Sequence, residues 1–423
     1  MSSIEIRPGS YLQGTVKVPS SKSIGHRALI CAALSEGNST VENINLSRDI
    51  KATTEVLESL GAKFFTSKNS IEVTGTPKLN CSGKELFCDE SGSTLRFLIP
   101  IALLQDEKVT FNGRGKLVER PLTPYYKIFD NQQLYYKNNN GLLPLELCGK
   151  IKPGVFNIKG NVSSQFISGL MFALPLLDED STIVIDGNLE SRPYVDLTID
   201  VLKDFGVSIV NKDYKSFIIR GKQRYCAKNY SVEGDFSQAA FFIAGGLLNG
   251  SVLCTNLRMA SLQGDKAIVD IGKLMGGKIT VTEKGVLAEK SALKGTDIDA
   301  SQVPDLVPIL TVLAALSEGQ TIIYNAARLR IKECDRLQAI STELNKLGAD
   351  ITEKEDSLII NGVKSLKGGI VSSWNDHRIV MAMTIASMRA EEPVIIEDYK
   401  AVEKSYPHFY SDFTDLGGQV KEF

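Results

Sequence analysis

One sequence pattern recurs six times along the chain and constrains the fold more than any other feature. Each copy has a polar start, an apolar helical run, a turn and a β-rich strand, as in the segment Ala28–Asn43 (ALICAALSEGNSTVEN). The copies follow one another at intervals of 68 to 73 residues and begin at Ser21, Ser93, Ser164, Ser237, Asp305 and Asp376. A fixed interval predicts one repeated supersecondary unit, and six copies account for all 423 residues.

A second signature ends most copies. An amphipathic helix is followed by glycine and a strand, as in Val56–Phe64 (VLESLGAKF), and glycine accepts the left-handed conformation that ends helices. The second copy lacks this glycine, and its counterpart there is Tyr125–Leu134. Because the chain is too long for one ordinary core, the six copies predict two domains of three, divided near residues 229–234. We expect these domains to face each other across a cleft, a usual place for a ligand site.

Composition excludes several classes of protein. The net charge is -2, so no global basic field exists to attract nucleic acid. The seven cysteines form no CxxC pair and the three histidines no HExxH motif, so we expect no disulfide framework and no metal. No GxGxxG or GxxxxGK[ST] motif predicts a nucleotide cofactor, and no apolar run is long enough to span a membrane. These features favour a cytoplasmic protein without a cofactor.

The start of each first helix is unusually polar. Serine, threonine or aspartate there can simply cap the free N–H groups of the helix. The same helix ends also attract anions, and a plain cap needs no added cation. Cationic side chains accompany three of the six starts, and these are Lys22 and Arg27, Arg96, and Arg378. The pattern therefore favours anion sites at these helix starts.

Six short motifs carry a family resemblance over essentially the full chain. In chain order they are Val18–Arg27 (VPSSKSIGHR), Asn161–Phe166 (NVSSQF), Ser191–Tyr194 (SRPY), Glu233–Asp235 (EGD), Lys332–Leu337 (KECDRL) and Asp376–Arg378 (DHR). Together they resemble the enolpyruvyl transferases of the shikimate pathway. The resemblance implies an α/β (α+β) fold of two domains, each an inside-out barrel of three βαβαββ repeats. It also implies a first domain at residues 14–229 and a discontinuous second domain at residues 1–13 and 230–423.

The implied reaction explains the residue types. Members of this family move the enolpyruvyl group of phosphoenolpyruvate to the 5-hydroxyl of shikimate 3-phosphate and release phosphate, by addition and then elimination. Both substrates carry a phosphate and a carboxylate, and arginine meets such groups with two parallel hydrogen bonds. The resemblance implies a monomer that binds only these small molecules, without a cofactor or metal. We also expect ligand binding to close the two domains.

The resemblance assigns roles to individual residues. For shikimate 3-phosphate they are Lys22, Ser23, Arg27, Ser163, Ser164, Gln165, Ser191, Tyr194, Asp305 and Lys332. For phosphoenolpyruvate they are Lys22, Gly92, Arg120, Gln165, Arg336, Arg378 and Lys404. The catalytic set is Asp305, Glu333, Lys22 and Lys404. In it, Asp305 is the candidate base for the hydroxyl, and the proton at C3 is left to Glu333 or Lys404.

Each of these residues also has an ordinary structural interpretation. Asp305 follows Pro304 and can cap a helix, alone or in addition to acting as a base. Glu333 and Arg336 are three apart and can form a solvated pair on a helix surface. The other cations of the site can be surface charges, as most lysines are, and these are Lys22, Arg27, Lys332 and Lys404. Independent surface charges would not reproduce the order of motifs of one family, and we therefore favour the site.

Two other functions are kept as alternatives. The nearest is the enolpyruvyl transferase that acts on UDP-N-acetylglucosamine, whose family has asparagine after the first lysine and a cysteine in a mobile loop. Here Ser23 follows Lys22, and residues 112–121 contain no cysteine. The remote alternative is a non-catalytic clamp on nucleic acid, which would need a basic inner surface that the net charge does not favour.

Overall fold

A computed structural model describes residues 2–76 and 78–423, which form two compact units. The inserted unit is Ser20–Val232, and the split unit combines the N-terminal residues up to Pro19 with Glu233–Phe423. Each unit has its own cluster of buried apolar side chains. Each therefore folds around a separate hydrophobic core.

The inserted unit contains three copies of one βαβαββ arrangement. Its strands are β3 (Gly37–Glu42), β4 (Lys63–Thr66), β5 (Ser70–Gly75), β6 (Lys84–Phe87), β7 (Val109–Asn112), β8 (Tyr135–Asn139), β9 (Leu142–Cys148), β10 (Val155–Lys159), β11 (Ser181–Asp186), β12 (Ile209–Lys212), β13 (Ser216–Ile219) and β14 (Tyr230–Ser231). Its helices are α1 (Lys22–Leu34), α2 (Arg48–Ser59), α3 (Gly92–Ala102), α4 (Thr123–Gln132), α5 (Ser164–Ala173) and α6 (Arg192–Asp204), with 3₁₀ turns at Gly115–Glu119 and Leu174–Leu176.

The split unit repeats the arrangement three more times. Its strands are β1 (Ser3–Ile6), β2 (Leu12–Lys17), β15 (Gly250–Thr255), β16 (Lys278–Thr282), β17 (Gly285–Glu289), β18 (Ile298–Asp299), β19 (Gln320–Tyr324), β20 (Asp350–Glu353), β21 (Leu358–Asn361), β22 (Gly369–Ser372), β23 (Val394–Glu397) and β24 (Val420–Glu422). Its helices are α7 (Phe236–Asn249), α8 (Ile268–Leu274), α9 (Val307–Ala315), α10 (Arg336–Lys346), α11 (His377–Ser387) and α12 (Phe409–Asp415). Further 3₁₀ turns lie at Gly264–Ala267, Pro304–Leu306, Ala327–Ile331 and Tyr399–Lys404.

All six sheets have the same four-stranded topology. In each, an outer strand runs parallel to its neighbour, and the third and fourth strands then pair antiparallel, as in the orders β6-β7-β9-β8 and β18-β19-β21-β20. In four of the six sheets the parallel pair is joined through the first helix of the copy, as β6 and β7 are joined through α3, because a parallel crossover needs a long connection. The six-repeat fold predicted from the sequence is thereby confirmed.

Two strands are exchanged between the sequence copies. Strand β2, which precedes the first copy, pairs with β15, while β14, which precedes the fourth, pairs with β3. Strand β1 completes the last sheet between β23 and β24. The chain therefore passes between units after Pro19 and after Val232. The second position lies within the range 229–234 that the repeats predicted, and the family resemblance implied divisions after residues 13 and 229.

The first helix of each copy forms the core. All nine residues of α9 and all eleven of α11 are buried, as expected for helices that are apolar on every side. The second helices are amphipathic, and α2 buries only Ile50, Ala52, Thr53, Thr54, Val56 and Leu57. The polar first turns of the buried helices therefore lie at the ends of the core, where side chains can meet a ligand.

The second copy ends its amphipathic helix without glycine. Gln133 takes the left-handed conformation at the end of α4, with φ of 57°, and its N–H binds the carbonyl oxygens of Phe129 and Asp130. The backbone cap is thus the same as in the other copies. Here a non-glycine residue takes the left-handed conformation in spite of its steric cost. The helix end was therefore not marked by the glycine pattern.

Candidate active site

Five of the six first helices begin with a side-chain cap. In these, a serine or aspartate oxygen accepts a backbone N–H of the first turn, and the capping residues are Ser21, Ser91, Ser163, Asp235 and Asp376. Helix α9 is the exception: its N-cap is Leu306, which makes no side-chain cap. Asp305 lies inside the 3₁₀ turn Pro304–Leu306 and is the N-cap residue of neither that turn nor α9. The interpretation of Asp305 as a helix cap is therefore wrong.

In the inserted unit, Arg27 is a buried cation with uncharged partners. Its guanidinium donates to Thr198 Oγ1 at 2.8 Å and to the carbonyl oxygens of Ser23 and Tyr194 at 2.6 and 2.9 Å, and it lies 5.0 Å from the ring centroid of Phe97. Burial lowers the pKa of Arg27 to about 10. Among the described residues no carboxylate forms an ion pair with it, so its charge remains available to an anion.

Lys22 stands one turn before Arg27 on α1. Its ammonium donates to Asp49 Oδ2 at 2.6 Å, and both side chains are mostly buried. Asp49 lies in the first turn of α2, so this ion pair links the two helices of the first copy. Lys22 is thus held in place, and the interpretation of it as a freely solvated surface charge is wrong.

Gln165 joins two helix starts of the inserted unit. Its carbonyl oxygen accepts from Arg96 at 2.8 Å, and its amide donates to Ser93 Oγ at 2.9 Å. Arg96 is buried and also lies 5.0 Å from the ring centroid of Phe166. The contact brings α3 and α5 together, and these two helices pack along each other.

Gly92 and Arg120 lie against each other. A methyl group placed on Gly92 would come within 2.6 Å of a terminal nitrogen of Arg120, so the guanidinium covers the backbone at the start of α3. Arg120 is buried and follows the 3₁₀ turn Gly115–Glu119. The structure thus brings together two residues that the sequence analysis assigned to one ligand.

Of the four predicted serines, Ser23 is the second residue of α1. The other three, together with Tyr194, lie at the starts of α5 and α6. Ser163 caps α5, Ser164 is its first residue, and Ser191 precedes α6 with φ of 53°. Ser191 is a non-glycine residue in the left-handed region, which carries a steric cost that functional sites often tolerate. Tyr194 is half-buried and packs against the apolar core, while its carbonyl oxygen holds Arg27.

In the split unit, three cations converge on Asp305. Its Oδ1 accepts from Lys332 at 3.3 Å and from Arg336 at 2.9 Å. Its Oδ2 and its carbonyl oxygen each accept from Arg378 at 3.0 Å. One carboxylate therefore connects three elements that are far apart in sequence. These are the 3₁₀ turn before α9, the start of α10 and the start of α11.

Arg336 is fully buried and joins three carboxylates. It pairs with Asp376 at 2.7 Å, Glu333 at 2.8 Å and Asp305 at 2.9 Å, and its side chain is 1% exposed. Burial opposes its charge, but these carboxylates outweigh burial and raise the pKa of Arg336 further above its ordinary value. The interpretation of Glu333 and Arg336 as a solvated helix pair is therefore wrong.

Lys332 and Lys404 complete the split-unit cluster. Burial lowers the pKa of Lys332 to about 8, although the nearby Asp305 favours its charge. Lys404 is 4% exposed, and its ammonium donates to the carbonyl oxygen of Asn375 at 2.6 Å. Lys404 is therefore buried, whereas Lys332 is partly buried and paired with Asp305.

Three polar residues of these clusters were missing from the predicted site. Asp376 receives two hydrogen bonds from Arg336, Asp49 pairs with Lys22, and Arg96 binds Gln165. Asp376 and Arg96 were recognised at helix starts but given no role. Asp49 had no signal of its own, because an acidic residue in a first helix turn is ordinary helix chemistry.

The described parts of the chain, 2–76 and 78–423, hold no group of three or more potential metal ligands. None of their helices is long and apolar enough to cross a membrane. All seven cysteines, which fall within those ranges, are unpaired.

The fold of this chain resembles that of solved enzyme structures. Two structures of EPSP synthase from Acinetobacter baumannii match with TM-scores of 0.84 and 0.82, at 25% and 24% sequence identity. All of this chain is covered in both cases, together with 100% and 99% of the solved chains. The two-unit, six-repeat architecture is thus that of the EPSP synthases.

Comparison of sequences then shows the family. The family model for EPSP synthase (3-phosphoshikimate 1-carboxyvinyltransferase) matches residues 6–413. Proteins named 3-phosphoshikimate 1-carboxyvinyltransferase from Clostridium novyi and Clostridium acetobutylicum are 56% and 55% identical, over all of this chain and 99% of theirs. One from Clostridioides difficile is 49% identical over the same shares. The chain belongs to the EPSP synthase family, and it is an enzyme.

Proposed function

We propose that this enzyme transfers the carboxyvinyl (enolpyruvyl) group of phosphoenolpyruvate to the 5-hydroxyl of shikimate 3-phosphate and releases phosphate. The family and the names of the relatives support this reaction over transfer to a UDP-amino sugar. The observation that carries the assignment of residues is the convergence of Lys332, Arg336 and Arg378 on the carboxylate of Asp305. That cluster combines a basic oxygen with the cations that two acidic substrates need.

Asp305 is proposed as the base that takes the proton of the 5-hydroxyl. Hydrogen bonds and ion pairs favour the ionised form of a carboxylate, and an ionised carboxylate can accept a proton. When the hydroxyl attacks C2 of phosphoenolpyruvate, C3 gains a proton, which gives a tetrahedral adduct. Loss of phosphate and of one C3 proton then gives the enolpyruvyl product. Lys332, which donates to Asp305 Oδ1, is assigned to shikimate 3-phosphate.

Arg336, Arg378 and Lys404 are proposed to bind phosphoenolpyruvate. Two of these are arginines, whose planar forks match the oxygens of carboxylates and phosphates. Their present partners are carboxylates and carbonyl oxygens, so the side chains are held in place before the ligand arrives. Preorganised cations stabilise charge that develops on the phosphate as it leaves.

The inserted unit is proposed to bind mainly shikimate 3-phosphate. Arg27 supplies a buried positive charge with neutral partners, and hydroxyl and amide groups surround the helix starts. The residues of this unit proposed for this substrate are Lys22, Ser23, Arg27, Ser163, Ser164, Gln165, Ser191 and Tyr194. The residues of this unit proposed for phosphoenolpyruvate are Lys22, Gly92, Arg120 and Gln165. The guanidinium of Arg120 covers the N–H end of α3 at Gly92, which supports their shared assignment.

Glu333 and Lys404 are the two candidates for the proton at C3. Glu333 is bound to Arg336, and Lys404 to the carbonyl oxygen of Asn375. Exchange of C3 hydrogen of phosphoenolpyruvate in D₂O distinguishes them, measured for Glu333→Gln and Lys404→Met. The variant that loses exchange while it still binds phosphoenolpyruvate identifies the residue that moves the proton. If both variants exchange at the normal rate, neither residue has this role.

One assay tests the proposed reaction. Phosphate release from phosphoenolpyruvate is measured with shikimate 3-phosphate and, in parallel, with UDP-N-acetylglucosamine as the acceptor. We expect release only with shikimate 3-phosphate, and release only with the UDP-sugar would refute the proposal. Asp305→Asn should lower kcat by about 10²–10⁴, the usual contribution of a general base. Asp299→Asn is the matched control, because Asp299 binds Ser301 and Asn325 at the surface.

The proposal also includes the setting of the enzyme. Seven unpaired cysteines support a reducing compartment such as the cytoplasm. The enzyme is proposed to act there as a monomer on small molecules alone, without a cofactor. Light scattering after size-exclusion chromatography checks the monomer, and a mass near twice 46.2 kDa would contradict it.

A further inference from the structure

The segment between β22 and α11 makes an unusual turn. Trp374 and Asn375 both have φ of 52°, so two successive non-glycine residues lie in the left-handed region. Asparagine tolerates this conformation, but a bulky residue such as tryptophan adopts it at a steric cost. The surrounding structure must therefore hold the turn.

Glu343 on α10 provides that support. Its carboxylate accepts a hydrogen bond from Trp374 Nε1 at 2.6 Å and another from the backbone N–H of Ser372 at 3.0 Å. Glu343 is 1% exposed, and Lys346 pairs with the same carboxylate at 2.8 Å. The two bonds to Trp374 and Ser372 fix the chain on the N-terminal side of the turn.

The Trp374–Asn375 turn is bonded to residues of the proposed site. The carbonyl oxygen of Asn375 accepts from Lys404 at 2.6 Å. The next residue, Asp376, accepts from Arg336 and caps the helix that begins with His377 and Arg378. A change in the turn would therefore move the ammonium of Lys404 and the start of α11 together.

We propose that Glu343 is a positioning residue for phosphoenolpyruvate binding, acting through the Trp374–Asn375 turn on Lys404. The inference rests on the proposed function, because the proposed function assigns Lys404 to phosphoenolpyruvate. Among the described residues, the polar partners of the Glu343 carboxylate are Ser372, Trp374 and Lys346, and none of these three is assigned to a ligand. The effect of Glu343 passes through Trp374 and Asn375. Such residues matter because a small misplacement of a binding group already weakens the aligned complex.

The kinetic test uses three variants. Glu343→Ala removes both bonds to the turn, and Trp374→Phe removes only the indole donor. Asn345→Ala is the matched control, because Asn345 lies on the same helix and its side chain, within the described residues, bonds only to the backbone of Ile351. We expect Glu343→Ala to raise the KM for phosphoenolpyruvate about tenfold, as when one hydrogen bond of binding is lost. Trp374→Phe should raise it less, and Asn345→Ala should not change it.

The KM for shikimate 3-phosphate should stay within about twofold in all three variants. A merely structural role would lower the melting temperature of Glu343→Ala and Asn345→Ala alike and leave both KM values unchanged. That result overturns the inference. If Glu343→Ala does not fold, Trp374→Phe, which keeps Glu343 paired with Lys346, decides the question alone.

The turn also contains its own spectroscopic reporter. Trp374 is the only tryptophan in the sequence, so its emission can be titrated with phosphoenolpyruvate without turnover. We expect a saturable change in the wild-type protein and a curve for Glu343→Ala shifted to about tenfold higher concentration. Identical curves would refute the positioning role. A wild-type protein with no phosphate release from the two substrates would instead refute the proposed function, so the two failures are distinct.

Discussion

Replacement of Arg336 by methionine tests the buried charge cluster of the split unit. The change removes the partner of three carboxylates, of which Asp376 is 0% exposed. Breaking a buried ion pair from one side costs about 3–5 kcal/mol, because a charge is left without compensation. We expect the free energy of unfolding to fall by that amount at pH 7.

The loss of unfolding free energy in Arg336→Met should become smaller as the pH falls. In the wild-type protein, burial would raise the pKa of Asp376, but Arg336 outweighs it and holds the pKa below its usual value. Asp376 therefore stabilises the fold above its unfolded pKa of about 4, and this contribution is lost only as pH falls further. Without Arg336, burial raises the pKa of Asp376, so its penalty is present at high pH and disappears as pH falls. The difference between variant and wild type should narrow from pH 7 to pH 5.

Arg330→Met is the matched control. Arg330 also pairs with two carboxylates, Asp335 and Glu353, but its side chain is 29% exposed. Partly exposed pairs contribute little, so we expect a loss of about 1 kcal/mol with little change between the two pH values.

Urea unfolding followed by the emission of Trp374 measures both variants. The reporter lies in the same unit as both arginines. Equal losses for Arg336→Met and Arg330→Met, without pH dependence, would refute the argument that Arg336 balances a buried charge.

Three further predictions concern the ligands. Because the pKa of Lys332 is lowered to about 8, its ammonium is lost above that pH, and kcat/KM for shikimate 3-phosphate should fall there. Lys332→Arg should move this fall to higher pH, and an unchanged pH profile would contradict the role of Lys332. Gly92→Ala should raise the KM for phosphoenolpyruvate about tenfold, because the methyl group displaces Arg120; an unchanged KM would show that Arg120 yields freely. Arg27→Lys, measured by titration calorimetry, should weaken shikimate 3-phosphate binding about tenfold through loss of the fork, and unchanged affinity would remove Arg27 from that role.

The repeated architecture was predictable from the sequence for a physical reason. Each copy must bury one apolar helix, such as Val307–Ala315, and end a second helix with a left-handed cap, as Gly61 does. Both requirements leave local patterns that recur at each copy. The exchange of β2 and β14 left no such pattern, because long-range pairing decides the partners of both strands.

Individual site residues were partly predictable. Arg336 and Asp305 stood in recognisable motifs, yet their local surroundings equally suited a surface ion pair and a helix cap. Only the packing of α9, α10 and α11 shows that Arg336 is buried and that Asp305 receives three cations. Asp49 could not be found at all, since its partner Lys22 is 27 residues away.

A crystal structure with phosphoenolpyruvate and shikimate 3-phosphate would show whether the buried cations of the split unit bind phosphoenolpyruvate. We expect oxygens of phosphoenolpyruvate within about 3.2 Å of the nitrogens of Arg336, Arg378 and Lys404. Phosphoenolpyruvate bound elsewhere, with these three side chains on their protein partners alone, would refute the proposed site.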